Sequence, residues 1–306
     1  MQPLTRAELA LTGLSIGDAF GQMFFGNTEN MSMAIDLQAL PAPPWYLTDD
    51  SIMAIGIVET LREWGEIDRD YLASRFANNY RRNPRRGYGG MAHHILREFC
   101  KGEDWRVVAP AVFDGMGSYG NGAAMRVAPV GGFYAEDLAQ LQIQAVASAE
   151  VTHSHLEGKV GALAIALAAA WAWNHRDATH SQPQELFTYL LGLLPDSDTK
   201  SGIKRASELP LECSVTTAVS VLGNGTMVSA PDTVPFTIWC AVRHLHDFEA
   251  AMWATVSGLG DRDTTCAIVG GIVALSVGDA GIPQEWLQAR ESLTEWESAQ
   301  VSWDID

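Results

Sequence analysis

Apolar residues recur along most of the chain at spacings of three and four, which places them on one face of a helix. This spacing predicts helices over residues 6–25, 50–64, 69–81, 90–100, 136–150, 157–174, 184–194, 213–222, 235–245, 248–256, 264–278 and 284–291. Alternating strand patterns, as in residues 127–134 and 226–228, are too short or too interrupted by glycine to build a sheet. The sequence therefore predicts an all-α protein.

Turn-rich stretches separate these helices and are spread evenly along the chain, at residues 26–48, 81–90, 114–122, 195–211 and 223–234. None combines length, low complexity and a run of charge as an interdomain linker does. We therefore expect one domain over residues 1–306, a multi-helix bundle whose loops carry the functional residues.

Two of the predicted helices carry small residues on one face. Gly13, Gly17 and Gly21 lie four residues apart, so they share a face of the first helix. Gly270 and Gly271 lie in a second helix that is also rich in alanine. Because each glycine costs a helix roughly 1 kcal/mol relative to alanine, these glycines predict a crowded centre where helix backbones approach closely.

Composition narrows the classes of function. The chain has 20 Lys and Arg against 37 Asp and Glu, a net charge of −17, which repels polyphosphate backbones and argues against general nucleic-acid binding. The longest apolar stretch, residues 160–173, is shorter than the roughly 20 residues of a membrane span, so we expect a buried helix and no membrane association. The N-terminus lacks a secretory pattern and the cysteines lack metal-site spacing, so we expect a cytoplasmic protein.

Two acidic motifs precede predicted helices, TDDS at residues 48–51 and DRDT at residues 261–264. Helix capping explains one acid in each motif, but paired carboxylates repel each other unless a cation neutralises them. Asp261 and Asp263 are two residues apart, which in an extended loop directs both carboxylates the same way. Because the ligands would all be hard oxygen atoms, the two motifs predict a shared Mg²⁺ or Mn²⁺ site.

A third segment, residues 115–126, places glycines on both sides of Ser118, Tyr119 and Asn121. Glycine lets backbone N–H groups approach a ligand closely, and a short helix after the run would suit an anion. A surface turn explains the Asn-Gly pair equally well. The pattern by itself leaves both interpretations open.

Five motifs together resemble the ADP-ribosylglycohydrolase family, in the same order and over nearly the whole chain. They are GLSIGDAFG at 13–21, TDDS at 48–51, SYGNGAAMRVAP at 118–129, VTHSH at 151–155 and GLGDRDTT at 258–265. The resemblance implies an all-α, single-domain hydrolase with two Mg²⁺ or Mn²⁺ ions in a central cleft. It also implies that the substrate is an ADP-ribosylated protein or a small ADP-ribose conjugate.

Carried over residue by residue, the resemblance assigns roles to positions of this chain. The implied metal ligands are Thr48, Asp49, Asp50, Asp261, Asp263 and Thr264. Asp49 and Asp50 would also orient or deprotonate the attacking water. The implied substrate-binding residues, for the diphosphate and the riboses, are Ser118, Tyr119, Gly120, Asn121, Gly122 and His153. The RGYGG loop at 86–90 resembles a family loop over the substrate. We expect its basic run to be mostly a solvated helix end, with about one arginine in three near a phosphate; the run is Arg81, Arg82, Arg85 and Arg86.

One position departs from the resemblance. Family branches similar to the serine-specific and to the dinitrogenase-reductase-reactivating enzymes have a glutamate seven residues after the aspartate of the opening motif. This chain has Phe25 there, and the next acid is Glu29. The arginine-specific branch also lacks that glutamate, which favours an N-glycosidic conjugate, whereas the SYGNG and RGYG segments favour the O-linked branch. A non-catalytic ADP-ribose-binding protein and a metal-dependent phosphohydrolase are the other hypotheses. Arg262 would pair with a cleft carboxylate or contact the leaving group.

Overall fold

The computed structural model describes residues 1–26, 28–176 and 182–296, and for residues 28–30 the backbone alone. The α-helices in these ranges are α1 (Pro3–Gln22), α2 (Thr28–Asp36), α3 (Asp49–Trp64), α4 (Arg69–Arg82), α5 (Gly90–Lys101), α6 (Trp105–Ala111), α7 (Ala128–Phe133), α8 (Leu138–Glu150), α9 (Leu156–His175), α10 (Glu185–Leu193), α11 (Asp198–Glu208), α12 (Val215–Leu222), α13 (Ala230–Arg243), α14 (Phe248–Val256), α15 (Arg262–Val277) and α16 (Gln284–Ala289). Short 3₁₀ helices cover Asn121–Ala123 and Asp279–Gly281. Isolated bridges join Trp45 to Arg290 and Gly120 to Ser229, and no strand occurs in the described ranges. The predicted all-α fold is confirmed.

Helices α1 and α15 form the centre of the protein and touch backbone to backbone. A methyl group added at Gly17 would overlap the carbonyl oxygen of Cys266, and one added at Gly21 would overlap that of Arg262. Gly13 stands in the same relation to Gly270. The predicted close approach is confirmed, and it brings the C-terminal half of α1 against the N-terminal half of α15.

Helix α9 is buried on all sides. Every residue from Val160 to Trp173 is buried, as the uninterrupted apolar run predicts. The helix is long and apolar enough to cross a membrane by length and composition, but 83% of its most apolar window is buried inside the protein. It packs as a core helix against α7, α8, α13 and α15.

Several helices occur where the sequence predicts turns or nothing. The stretch 195–211 was expected to be a turn, but it contains α11. The Ser197 side chain caps this helix by accepting from the Lys200 N–H (3.0 Å), and Glu157 on α9 accepts the N–H groups of Asp198 and Thr199. Helices α2 and α6 also lie in unpredicted segments, and α13 begins five residues before its predicted start at residue 235, at Ala230. Long-range partners stabilise turns of helix that local apolar spacing does not mark.

An aromatic cluster fixes the segment that leads into α3. The Trp45 ring lies 5.6 Å from the rings of Phe20 and Trp286, and the Phe20 and Trp286 rings stack at 4.5 Å. The Trp45 backbone also pairs with the C-terminal segment, because its N–H donates to Ala289 (2.7 Å) and its carbonyl accepts from Glu291 (2.8 Å). The start of α3 is therefore held by α1, α16 and the chain after α16.

Candidate active site

A cluster of buried carboxylates lies where α1, α3 and α15 meet. Asp18 of α1, Asp50 of α3 and Asp263 of α15 each place a carboxylate oxygen within 4.8 Å of the other two. Asp18 and Asp50 are 0% and 1% exposed. The sequence-based metal prediction did not include Asp18. The sequence offered one indication of its importance, since Asp18 is the one charged residue in positions 9–28.

Asp18 organises the N-terminus of α3. Its Oδ1 accepts from the Thr48 hydroxyl (2.6 Å), and its Oδ2 accepts from the N–H groups of Thr48 (3.0 Å) and Ser51 (3.2 Å). The Ser51 hydroxyl also donates to Oδ2. Thr48 caps α3 as well, with its side chain accepting from the Asp50 N–H. This helix end therefore has both a cap and acidic residues. Because the Thr48 hydroxyl caps the helix, the carboxylates of Asp49 and Asp50 are not needed as caps and can face the pocket.

The second acidic motif begins α15 and is not an extended loop. Asp261 is the residue before the helix, and Asp263 lies in its first turn. The expected extended geometry was wrong, since the chain has already turned into the helix at Asp263. The Thr264 N–H donates to Asp263 Oδ1 (2.9 Å), and the Asn121 amide donates to Asp261 Oδ2 (2.7 Å).

Burial raises the pKa of every carboxyl group in the cluster, and repulsion by neighbouring aspartates raises it further at Asp50 and Asp263. The pKa of Asp50 lies well above its usual range because of burial, then because of the charges of Asp263, Asp18 and other cluster aspartates. Burial and neighbouring aspartates likewise raise the pKa of Asp49 and of Asp263. Without a cation these groups resist ionisation together.

The donor set fits a hard divalent cation. All of its side chains offer oxygen, and Asp50 Oδ1 is buried without a hydrogen-bond partner in the part of the chain that the structure describes. A buried carboxylate oxygen without a partner is costly unless a ligand satisfies it. Mg²⁺ and Mn²⁺ prefer such oxygen ligands. The residues present therefore fit the ions that the resemblance implies.

Asp50 and Asp263 of the acidic cluster line a cavity of about 460 Å³. The glycine-rich segment lines another wall, and its members Ser118, Tyr119, Gly120, Asn121 and Gly122 all border the cavity, as does His153. The other lining residues include Asp49, Asp50, Asp261, Asp263, Thr264, Met53, Met125, Arg126, Met227 and Val228. The structure thus brings the implied substrate-binding residues and the implied metal ligands, with the exception of Thr48, to one pocket. Thr48 lies behind its rim, bonded to Asp18.

Asn121 connects the glycine-rich segment to the acidic cluster. It begins a three-residue 3₁₀ helix, and its amide group donates to Thr233 as well as to Asp261. It is 3% exposed, whereas Tyr119 is 45% exposed. The segment is therefore a built wall of the pocket, not a free surface turn.

His153 lies beside this segment and is neutral. Its Nδ1 is 2.7 Å from the Thr152 hydroxyl. Burial, together with the positive charge of Arg126, lowers the pKa of His153 to about 3. The ring therefore carries no charge at neutral pH, and it offers one donor and one acceptor.

The RGYG loop crosses the mouth of the cluster, but its buried arginine does not face the pocket. The carbonyl of Arg86 accepts from the Asp49 N–H (2.6 Å), and its guanidinium binds the Glu291 carboxylate at 2.7 and 2.9 Å. The guanidinium also donates to the carbonyls of Leu47 and Trp296. Arg86 therefore ties the loop to the start of α3 and to the C-terminal segment, and it is not available to a phosphate.

Phe25 places an aromatic ring at the position where some branches of the family carry a glutamate. The ring is 42% exposed, and the Arg262 guanidinium lies 5.1 Å from its centroid. Arg262 also donates to the Phe24 carbonyl (2.5 Å). Arg262 thus contacts Phe24 and Phe25, and in the described structure no hydrogen bond joins it to a cleft carboxylate. The side chain of Glu29 lies outside the described residues.

Comparison with known proteins decides the family. The family model described as ADP-ribosylglycohydrolase matches residues 1–302. The chain belongs to the ADP-ribosylglycohydrolase family. Human ADP-ribosylhydrolase ARH3 is 29% identical, with 95% of this chain and 91% of that protein covered. ADP-ribosylarginine hydrolase Tri1 of Pseudomonas putida is 25% identical, with 94% and 74% covered.

A solved structure supports the fold. It is described as an ADP-ribosylglycohydrolase-related protein complex, and it superposes with a TM-score of 0.67 at 22% identity over 97% of this chain and 95% of that one. Family membership identifies this protein as a glycosidic-bond hydrolase, an ADP-ribosylglycohydrolase, whose family acts on ADP-ribosylated substrates. The resemblance that the sequence motifs indicate is confirmed.

Proposed function

We propose that the protein is a Mg²⁺- or Mn²⁺-dependent hydrolase that removes ADP-ribose from an N-glycosidic conjugate of arginine or another guanidine. The observation that carries the proposal is the buried triad of Asp18, Asp50 and Asp263, of which Asp50 and Asp263 line a nucleotide-sized pocket. The name of the Tri1 relative, an ADP-ribosylarginine hydrolase, supports the arginine linkage.

Two ions would be held by the oxygen atoms of the two acidic motifs. The residues proposed to hold them are Thr48, Asp49, Asp50, Asp261, Asp263 and Thr264, to which the structure adds Asp18. When bound, the ions would supply Lewis acidity that lowers the pKa of water and orients the ribose hydroxyl groups.

Asp49 is placed to receive a proton from the attacking water. It borders the pocket and is 8% exposed, whereas Asp50 is 1% exposed. The negative charge of the cluster favours the positive charge that develops on the anomeric carbon as the glycosidic bond breaks. A guanidine leaves as a neutral base only after it gains a proton, so the leaving group needs an acid at the open side of the pocket.

Two exposed aromatic rings at the pocket suit an adenine base. Phe113 and Tyr119 are 41% and 45% exposed, their ring centroids are 6.4 Å apart, and both border the cavity. Exposed aromatic rings stack with nucleobases. The segment 118–122 leads from Tyr119 to Asn121, which bonds to Asp261, so the diphosphate and the adjoining ribose would pass along this segment.

The proposed linkage rests on Phe25. The position that carries a carboxylate in branches resembling the serine-specific enzymes presents a phenyl ring here, covered by Arg262. Water activation then depends on the acidic cluster alone, which suffices for a guanidine leaving group that is protonated as it departs. Hydrolysis of an O-linked conjugate of serine or of a small molecule is the second candidate, favoured by the SYGNG and RGYG segments.

A release assay on matched conjugates tests the proposal. ADP-ribosyl-arginine and ADP-ribosyl-serine peptides of the same sequence are incubated with the enzyme in Mg²⁺, Mn²⁺ or EDTA. We expect faster release from arginine, no release in EDTA, and loss of activity in Asp261→Asn. Faster release from serine would refute the linkage, and no release from either conjugate would refute the proposed reaction.

Phe25→Glu sharpens the test, with Phe25→Gln as its neutral control. We expect Glu at this position, and not Gln, to increase release from the serine conjugate. Equal effects of the two variants would show that the shape of residue 25, and not its charge, sets the linkage.

We also propose a cytoplasmic location. All four cysteines, Cys100, Cys213, Cys240 and Cys266, are free thiols in the structure, which suits a reducing compartment. Fractionation of cells that produce the protein at natural levels tests this location.

A further inference from the structure

Arg126 is a buried arginine at the wall of the pocket. It is 1% exposed, and its guanidinium donates to the Ser148 carbonyl (3.1 Å) and to the Thr152 hydroxyl (2.8 Å). The Phe76 ring covers it at 4.6 Å. A buried guanidinium is costly unless hydrogen bonds and charge offset the cost, and here these two bonds and the charge of Asp49 do so in part.

The hydroxyl of Thr152 stands between Arg126 and His153. It is 2.8 Å from the Arg126 guanidinium on one side and 2.7 Å from His153 Nδ1 on the other. A guanidinium can only donate, so Thr152 accepts from Arg126. Its single hydrogen is then directed to His153 Nδ1, which must accept it.

The remaining ring hydrogen of His153 therefore lies on Nε2. The opposite tautomer would direct two donors at the Thr152 oxygen and leave the hydroxyl hydrogen without an acceptor among the bonds that the structure gives Thr152. A methyl group added at Gly120 or Gly122 would lie 3.4 or 3.2 Å from Nε2, so this nitrogen faces the glycine-rich wall of the pocket.

We propose that Arg126 and Thr152 are positioning residues that fix the Nε2–H tautomer of His153 and so make it a hydrogen-bond donor to an oxygen of ADP-ribose. The tautomer follows from the structure alone, whereas the ligand rests on the proposed function. A neutral imidazole with its donor fixed can recognise a phosphate or hydroxyl oxygen without a rotation or a proton transfer. The low pKa of His153 keeps this arrangement uncharged across the neutral range.

The glycines complete the arrangement. A side chain at Gly122 would press on the His153 ring, with Cε1 at 3.0 Å from the added carbon, and one at Gly158 would lie 3.0 Å from His153 Cβ. Small residues on both sides thus leave the ring in contact with the pocket, and the Thr152 hydroxyl sets its orientation.

Thr152→Val tests the proposal, because valine keeps the shape of threonine and removes the hydroxyl. Long-range ¹H–¹⁵N spectra of histidine-labelled protein report the tautomer of each ring, and a His153→Gln spectrum assigns the signal. We expect Nε2–H in the wild type and in Thr152→Ser, and a mixed or Nδ1–H state in Thr152→Val. Affinity for ADP-ribose should fall about five- to tenfold in Thr152→Val, as for one hydrogen bond, and recover in Thr152→Ser.

A matched control is Thr60→Val. Thr60 is also buried, but its hydroxyl donates to the Gly56 carbonyl within α3, so its loss should leave both the His153 spectrum and ADP-ribose affinity unchanged. Retention of Nε2–H in Thr152→Val would overturn the tautomer assignment, and a changed tautomer with wild-type affinity would overturn the role as donor. If Thr152→Val does not fold, Thr152→Ala serves for the same spectrum. Absence of ADP-ribose binding by the wild type would refute the proposed function and the ligand assignment, while the spectrum alone would still decide the tautomer.

Discussion

Replacing Asp50 with asparagine distinguishes a metal site from a set of helix caps. Asp50 is buried, its Oδ1 has no partner among the described residues, and two other carboxylates lie within 4.8 Å of it. Thr48, not Asp50, caps α3. Asparagine keeps the size of the side chain, removes its charge, and can donate an N–H to a neighbouring carboxylate.

The repulsion that this change removes can be worked from the geometry. At the 4.8 Å limit of the triad, two ionised carboxylates repel by about 3.5 kcal/mol at an effective dielectric constant of about 20. Partial protonation of the cluster relieves some of this. We therefore expect metal-free Asp50→Asn to be more stable than the wild type by about 2–4 kcal/mol at pH 8.

The pH dependence has a definite sign. Because the pKa of Asp50 is raised in the folded state, the folded protein holds a proton that the unfolded chain has released. The metal-free wild type should therefore lose stability as pH rises from about 4, the unfolded value, through the raised pKa. Asp50→Asn should lose less over the same range, and the advantage of the variant should shrink below pH 5.

Urea denaturation in EDTA between pH 5 and pH 8, repeated with Mg²⁺, measures both effects. Mg²⁺ should stabilise the wild type by mass action and stabilise Asp50→Asn much less. Asp70→Asn is the control, since hydrogen bonds from Arg106 and Trp105 lower the pKa of this exposed aspartate. Its replacement should give no gain at pH 8. A less stable Asp50→Asn in EDTA would refute the argument and favour a capping role.

Two further predictions concern packing around the site. Glu291→Gln leaves buried Arg86 without its charge partner and should destabilise the protein by about 3–5 kcal/mol; exposed Glu285→Gln should change stability by less than about 0.5 kcal/mol. Gly17→Ala forces a methyl against α15 and should cost about 1–3 kcal/mol or more. Gly192→Ala, with open space around it, should instead stabilise α10 by up to about 1 kcal/mol. Urea denaturation measures all four.

A specific result would contradict each of these predictions. A stable Glu291→Gln would mean that the C-terminal segment does not hold the start of α3. A Gly17→Ala protein as stable as the wild type would mean that α1 and α15 can separate without cost. Comparing Mg²⁺ affinity in Glu291→Gln with that of the wild type then shows whether the same segment also supports the metal site.

The sequence by itself determined the helical class, most helix positions and both acidic motifs. Apolar spacing is a local property, and α3, α4, α5, α8 and α9 begin and end within two residues of the predicted bounds. The glycines of α1 predicted a close contact between helices, because glycine destabilises a helix and a close backbone approach offsets that cost. The motifs of residues 48–51 and 261–264 are recognisable from the sequence because their oxygen-bearing side chains lie on neighbouring residues.

The tertiary structure alone decided how these parts meet. Asp18 joins the cluster because the glycine contact presses α1 against α15, and its partner Thr48 lies 30 residues away in the sequence. Arg86 pairs with Glu291, which lies 205 residues away in the sequence. The residues around Arg86 therefore do not indicate that its guanidinium is bound by Glu291 and is not available to a phosphate. The bonds from Arg126 through Thr152 to His153 likewise depend on α8 lying beside residue 126. Such contacts follow from the packing of whole helices, which no short window of sequence contains.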